Sequence, residues 1–299
     1  MPFVVKFIYN YSIPNSDFHR VFFSILYNHM KKITIVVVTY NCSSLIKETL
    51  KSIVEQDYSY KQLIVIDGKS KDGTLEQLER FSAYIDVLVS EPDKGIFDAM
   101  NKSLQYVTGD YVIFMNAGDR FVNNHVVSDI FEGKKYDEDL ICGDFFVQND
   151  LGYLLRKANP IYLYNPSPKE LVFKSQGICH QALFTKSSVL KEIKFDLRFP
   201  LGADYDTTAK VFYKGNHKLR SVGFPIAVFD DGNGGASHDC IIRILMERSD
   251  MFNYQKGFVF WIKAYKIHLT FKLKKIVEFM FPQYVRKRRS KKYIQKLPI

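Results

Sequence analysis

DYVIFMNAGD, residues Asp110 to Asp119, decides the reading of this chain. Tyr111 to Met115 form an unbroken apolar run, the pattern of a short strand covered on both faces. The run stops at a small-residue turn, Asn116-Ala117-Gly118, that carries one carboxylate, Asp119. A carboxylate just past the carboxyl end of a buried strand, beside glycine, is placed to hold a divalent cation against a phosphate.

The same alternation extends towards the N-terminus. Ile33 to Thr39 is a β-branched strand, and a helix with Leu45, Ile46, Leu50, Ile53 and Val54 at helical spacing follows it, capped by Asn41 or Ser43. Leu63 to Asp67 is the second strand, followed by a polar loop and a helix over Leu75–Phe81. Val87 to Val89 is the third, followed by Pro92 to Gly95 and a helix reaching Tyr106. Strand and helix in strict turn predict an open parallel sheet that binds its ligand at the strand carboxyl ends. Beyond Asn123 the pattern loosens. Strands are expected over Leu140–Val147, Tyr153–Lys157, Cys179–Thr185 and Lys218–Phe229, a proline-containing loop over Asn159–Lys169, and a helix over Asp204–Tyr213. The glycine-rich loop Gly232–Ala236 precedes a helix of about twenty residues.

Charge is unevenly placed. Residues 257–299 hold twelve Lys and Arg against one acid, Glu278, while the whole chain carries +10, so the body is close to neutral. Lysines interrupt the apolar stretch Gly257–Phe281, which excludes a membrane-spanning reading. Phe258, Trp261, Ile262, Tyr265, Leu269, Leu273, Ile276 and Met280 share one helical face, as in a helix lying in a membrane interface, and the cluster Arg286–Arg289 with Lys291 and Lys292 suits anionic lipid. No aromatic-basic face or known module for nucleic acid is present. Four scattered cysteines without a Cys-x-x-Cys pair exclude a disulfide framework and a zinc site, and fit a reducing cytosol. Residues 1–29 lack periodicity and a secretory pattern; they read either as upstream sequence ahead of a start at Met30 or as an extra N-terminal helix. The expected division is thus a leader over 1–29, a catalytic domain over 30–256 and a basic amphipathic helical tail over 257–299.

The strand ends carry Thr39-Tyr40-Asn41, then Asp67 with Asp72-Gly73-Thr74, then Asp93-Lys94-Gly95 with Asp98 to Asn101, then Asn116 to Asp119. In this order, and with Leu201 to Asp206 downstream, they resemble the family 2 glycosyltransferases of the GT-A fold. The likeness is greatest to the bacterial enzymes of capsule, colanic-acid and lipopolysaccharide assembly, and it covers roughly Ile33 to Asp239. The resemblance implies an α/β, Rossmann-like, mainly parallel sheet flanked by helices, with the amphipathic tail as an extension.

It also implies an inverting hexosyltransferase that moves a sugar from a nucleotide-sugar donor to a glycan or polyprenyl-linked acceptor at the inner face of the cell membrane. Thr39, Tyr40, Asn41, Asp67, Asp72, Gly95, Asn101, Asn116, His180 and Gln181 would frame the donor. Asp119 would hold Mg²⁺ or Mn²⁺, with His238 a candidate second ligand, and Asp204 would be the base. Residue chemistry alone leaves other roles open. Asp67 and Asp72 also suit turns, Asp204 a helix N-cap, His180 a satisfied core position, and His238 the start of a helix. Asn116, Gly118 and Ala203 stand where the family often has acids, which keeps a non-catalytic nucleotide-sugar-binding assembly subunit as an alternative. A nucleotidyltransferase is disfavoured, because the loop after the first strand is not rich in glycine and carries no Lys or Arg before Ser44.

Overall fold

The computed structural model describes residues 30–214, 218–231 and 240–297. The expectations for residues 1–29, for the loop Gly232–Ala236 and for His238 lie outside the described residues.

Four parallel strands form the first half of one sheet. They are β1 (Ile33–Thr39), β2 (Lys61–Asp67), β3 (Val87–Ser90) and β4 (Tyr111–Phe114), in the order β3-β2-β1-β4. Helices α1 (Ile46–Val54), α2 (Thr74–Glu79) and α3 (Ile96–Ser103) connect them. Every residue of β1 and β4 is buried, which is why their sequences do not alternate between apolar and polar. Ile35, Val37, Ile113 and Met115 pack on one side with Leu50 and Ile53 of α1. Val36, Ile64, Val112 and Phe114 pack on the other with Phe97 and Met100 of α3. Each βα loop therefore leaves the sheet at the same edge.

The second half is mixed. It consists of β5 (Arg120–Phe121), α4 (Val126–Phe131), β6 (Leu140–Asn149), β7 (Gly152–Arg156), α5 (Pro168–Phe173), β8 (Leu183–Lys186), α6 (Ser187–Ile193), α7 (Ala203–Lys214) and β9 (Leu219–Asp230). β8 runs antiparallel between β4 and β6, β9 lies parallel to β6, and β5 pairs antiparallel with β9.

Four local expectations are corrected. Neither Asn41 nor Ser43 caps α1, whose N-cap is Leu45 without a side-chain bond, because both residues are tied to the neighbouring loop instead. Asn159–Lys169 is not plain loop: it holds a 3-10 turn at Ile161–Tyr164 and the start of α5, where Ser167 and Glu170 form a reciprocal capping box. The strand expected from Cys179 begins only at Leu183, after a 3-10 turn at His180–Ala182. The helix expected to run for about twenty residues is α8 (Ile241–Met251), which stops before Asn253, a residue with φ 49°.

The tail folds as α9 (Phe258–Met280) and, after a break at Phe281, α10 (Pro282–Ser290). Among the described residues no helix is long and apolar enough to cross a membrane. Phe260 and Ala264 of α9 are buried against Val172 and Leu245, and Trp261 is half-buried, packing on them as well as on Tyr265 of the outer row. Phe258, Ile262, Tyr265, Leu269, Leu273, Ile276, Phe279 and Met280 remain exposed. The far end of the tail is also held. Ile294 and Tyr153 exchange backbone hydrogen bonds of 2.9 Å, Asn149 Nδ2 donates to Tyr293 Oη, and Gln295 Nε2 donates to the carbonyl of Leu151. Gly152 makes this approach possible, since a Cβ there would lie 2.5 Å from the Ile294 carbonyl oxygen. The basic extension is thus pinned to the body at both ends.

Candidate active site

Two loops at the carboxyl edge of β1 and β2 are laced together. Asp72 Oδ2 accepts from the Ser43 amide at 3.0 Å, while Oδ1 accepts from the amide and hydroxyl of Thr74. These bonds hold the Asp72 carboxyl down at about 2. Asn41, in a left-handed conformation, donates its amide to Ser70 Oγ and accepts from the Lys71 amide. Asp67 is fully buried and accepts from the Ser70 amide, the Ser70 hydroxyl and the Ser90 hydroxyl. Asp67 and Asp72 therefore order the loops from within. Ser70 and Ser90, which complete Asp67, carry no signal in the sequence.

Tyr40 presents an exposed ring beside Gly68. A Cβ on Gly68 would lie 3.1 Å from that ring and 2.5 Å from Asp93 Oδ2, so a side chain there would displace the Asp93 carboxylate from its present place. Asp93 in turn accepts from the Gly95 amide, and Gly95, at φ 116°, opens α3. Tyr40, Gly68 and Asp93 form one wall with a ring face and a carboxylate. Asn101 sits apart from it. Its amide donates to the Phe195 carbonyl and accepts from the Phe195 amide, both at 2.8 Å, so in this structure it is a tie between α3 and the segment after α6, not part of that wall.

The turn after β4 is built around α1. Thr49 donates to the Asp119 carbonyl and accepts from the Gly118 amide, and Gly118 adopts φ 103°. This directs the Asp119 carboxylate inwards, where it is only 5% exposed. Gln181 Nε2 donates to Oδ2 at 2.8 Å, and the Asp230 amide donates to Oδ1 at 3.1 Å. Cys179 Sγ, 2.8 Å from Gln181 Oε1, fixes which end of the amide faces Asp119. Burial pushes the Asp119 carboxyl up to about 6 against the pull of these two bonds, with the charge of Asp230 adding to the rise.

One residue earlier, His180 faces the other acid. Its Nδ1 lies 3.4 Å from Asp204 Oδ2, and its Nε2 lies 3.2 Å from Asn116 Nδ2. Asp204 is the second residue of α7, so it lies inside the helix and is not its N-cap. Its side chain, like that of His180, is about a quarter exposed, at 24% and 26%. Burial opposes the charge on Asp204, yet His180 outweighs it and holds the carboxyl below its ordinary 3.8. Burial likewise opposes a charged imidazole, and Asp204 overrides it to raise His180 above 6.5. Asp119 and Asp204 thus lie around one short segment, His180-Gln181, each held by a different member of it. Asp206, two residues on, points away and pairs with Lys210 at 2.5 Å.

Residues 34–194 match the model of glycosyl transferase family 2. The chain belongs to that family. It is 25% identical over 224 residues to a PGL/p-HBAD biosynthesis glycosyltransferase of Mycobacterium tuberculosis (strain ATCC 25177 / H37Ra), covering 73% of this chain and 84% of that protein. It is 27% identical over 253 residues to the amylovoran biosynthesis glycosyltransferase AmsB of Erwinia amylovora, covering 79% and 78%. The fold is similar to that of S. aureus TarS in complex with UDP, with a TM-score of 0.58 at 18% identity over 84% of this chain and 72% of that one. It is also similar to the mannosyltransferase PcManGT from Pyrobaculum calidifontis in complex with GDP-Man and Mn²⁺, with a TM-score of 0.54 at 20% identity over 81% and 69%. The protein is therefore a glycosyltransferase with a GT-A sheet.

No group of three His, Cys, Asp or Glu able to hold a metal ion occurs among the described residues. The donor set nevertheless has the right chemistry. Asp119 keeps a second lone pair on each oxygen, and the Asp230 carboxylate stands at the same turn, with Oδ2 3.6 Å from where a Gly118 Cβ would be. Two hard oxygen donors at one turn, one of them a buried carboxylate whose charge cost its neighbour raises, suit Mg²⁺ or Mn²⁺, with phosphate and water filling the remaining positions. Asp230 escaped the sequence reading, although its place at the end of β9, before a glycine-rich loop, was visible there.

Proposed function

We propose that this protein is an inverting hexosyltransferase. It would take a nucleotide-sugar donor and transfer the sugar to a glycan or lipid-linked acceptor in surface-polysaccharide assembly. The observation that carries the reading is the convergence of Asp119 and Asp204 on His180-Gln181, in a family whose members transfer sugars. UDP in one structural neighbour, and GDP-Man with Mn²⁺ in another, support the donor class and the metal.

The Tyr40 ring and the Asp93 carboxylate offer a face and an acceptor for a nucleobase, and Thr39 and Asn41 border the same edge. Asp119 and Asp230 would hold the divalent ion, which when bound supplies positive charge to the departing diphosphate. The residues of the chain do the rest. Asp204 accepts the proton of the acceptor hydroxyl while that oxygen bonds to the anomeric carbon from the face opposite the diphosphate, and the carbon–phosphate-oxygen bond breaks. Asp204 is ionised at neutral pH, as a base must be, because His180 holds its carboxyl low.

The test is a nucleoside-diphosphate screen read by thermal denaturation. UDP or GDP with Mn²⁺ is expected to raise Tm by several degrees, as a ligand at about 100 times its Kd contributes about 2.7 kcal/mol. Transfer from the matching sugar nucleotide should then be measurable. Donor binding that ignores Mn²⁺ and is never followed by transfer or hydrolysis would instead identify a non-catalytic assembly subunit.

The same proposal puts the protein in the cytoplasm, peripheral to the inner membrane face. It rests on the exposed apolar row of α9 beside the cluster Arg286–Arg289. Removing the tail would uncover Val172 and Leu245, so point changes are the cleaner test. Leu269→Ser, Leu273→Ser and Ile276→Ser together should lower binding to vesicles of anionic lipid at least tenfold, at unchanged Tm. Binding as tight as that of the unaltered chain removes α9 from that role.

A further inference from the structure

The imidazole of His180 bridges three elements: the turn after β4 through Asn116, the 3-10 turn before β8 that carries it, and the first turn of α7 through Asp204. Its tautomer follows from its neighbours. Asn116 Nδ2 faces Nε2 at 3.2 Å. An amide nitrogen can only donate, so Nε2 accepts and the ring proton sits on Nδ1, the nitrogen 3.4 Å from Asp204 Oδ2. This arrangement leaves Asn116 Oδ1 buried without a partner, which costs about 1–3 kcal/mol. Turning the Asn116 amide over brings Oδ1 to Nε2. That oxygen must then receive a proton from Nε2, and the Asp204 carboxylate 3.4 Å from Nδ1 favours a second proton there, which makes the ring an imidazolium. Both arrangements place the Nδ1 proton beside the same carboxylate oxygen.

We infer that His180 is the positioning residue of the base: Nδ1–H pins Asp204 Oδ2, Asn116 steadies the far edge of the ring, and Oδ1 of Asp204 is left to meet the acceptor hydroxyl. This rests on the reading of Asp204 as base and goes beyond it, since His180 was expected to touch the donor. At 3.4 Å the contact is long, as hydrogen bonds in catalytic sites often are before substrate arrives. A free carboxylate on a helix would turn about its χ angles, and a general base that is misdirected loses most of its effect. Gln181 belongs to Asp119, so the two-residue segment sets the spacing between the two acids as well.

Four measurements test this on the whole chain. His180→Leu should lower kcat about 100-fold, with donor KM and Tm nearly unchanged. His180→Gln, which can donate to Asp204 and accept from Asn116, should recover at least tenfold of that loss. In an Asp204→Asn background His180→Leu should cost nothing further, because residues that act as a unit are not additive. Selective ¹⁵N labelling of the unaltered protein needs no variant to fold, and should show His180 Nδ1 protonated. Full kcat in His180→Leu, an equal further loss on top of Asp204→Asn, a loss confined to donor KM, or an unprotonated Nδ1 would each overturn the assignment while leaving Asp204 as the base. Full activity in Asp204→Asn alone would instead remove the reading on which it rests.

Discussion

Asp204→Asn lowers kcat by about 10²–10⁴-fold, the range expected when a general base is removed, and leaves donor affinity within about twofold. Asparagine has nearly the same shape as aspartate, and its Oδ1 can still accept from His180 Nδ1, so the α7 turn and the His180 contact survive the change. Only proton-accepting power is lost. The pH dependence makes the result specific. The folded-state pKa of Asp204 lies below 3.8, so the group is already deprotonated across the working range. Its contribution to stability is present above the unfolded value and is lost as pH falls through the folded one. An acid limb of kcat/KM near pH 6 would accordingly belong to another group, and the variant should keep that limb at its reduced rate. The measurement is initial-rate transfer at saturating donor, alongside calorimetry with the nucleoside diphosphate. An asparagine variant with full kcat would end the assignment.

The centre of the parallel half was legible because its strands are covered on both faces. Burial of every residue in β1 and β4 selects β-branched and aromatic residues, Val, Ile, Thr, Phe and Tyr, and that demand is written locally. The second half is held by pairings between distant segments, such as β8 between β4 and β6, and by the two-residue strand β5, neither of which leaves a local pattern. Cys179 to Thr185 illustrates the limit. Its apolar composition reads as strand, yet the first residues turn so that His180 and Gln181 reach different acids.

The chemistry was legible as residue type but not as partner. Asp67 reads as a ligand contact, and in the fold it accepts three hydrogen bonds from Ser70 and Ser90, two residues with no periodic or motif signal. Asn101 stood in a motif, and its amide is committed to the backbone of Phe195, 94 residues away. Asp230 stands at a strand end in the sequence, but its partner is set only when β9 brings it back to the Asp119 turn, across a separation of 111 residues. In the tail the periodicity was read correctly as amphipathic. What the sequence could not reveal is which few residues dock, because Phe260 and Ala264 are chosen by the surface that Val172 and Leu245 offer.

Asp119→Asn separates function from stability in opposite directions. Transfer is expected to fall about 10²–10³-fold, and the Tm shift caused by Mn²⁺ to vanish, because a neutral amide cannot offset a dication. Stability at neutral pH should nevertheless hold or rise. The Asp119 carboxyl is pushed from 3.8 up to about 6 by burial, a difference of roughly 3 kcal/mol between the two protonation states. The sign follows from proton uptake. Between about pH 4 and pH 6 the folded state binds the proton and the unfolded state does not, so stability falls as pH rises through that window, and above it the whole cost stands. Asparagine carries no charge and escapes the cost. Against this, its amino group must face either Gln181 Nε2 or the Asp230 amide, a mismatch of about 1–3 kcal/mol. The two terms are similar in size, so the variant should unfold at or above the temperature of the unaltered protein at pH 7, and below it at pH 4. Thermal scans at both pH values, with and without Mn²⁺ and nucleoside diphosphate, decide the matter. A variant that keeps its Mn²⁺ shift would place the ion elsewhere. One that is much less stable at pH 7 would mean that the buried charge is already compensated in the folded protein, leaving the cation no unmet charge to neutralise at Asp119.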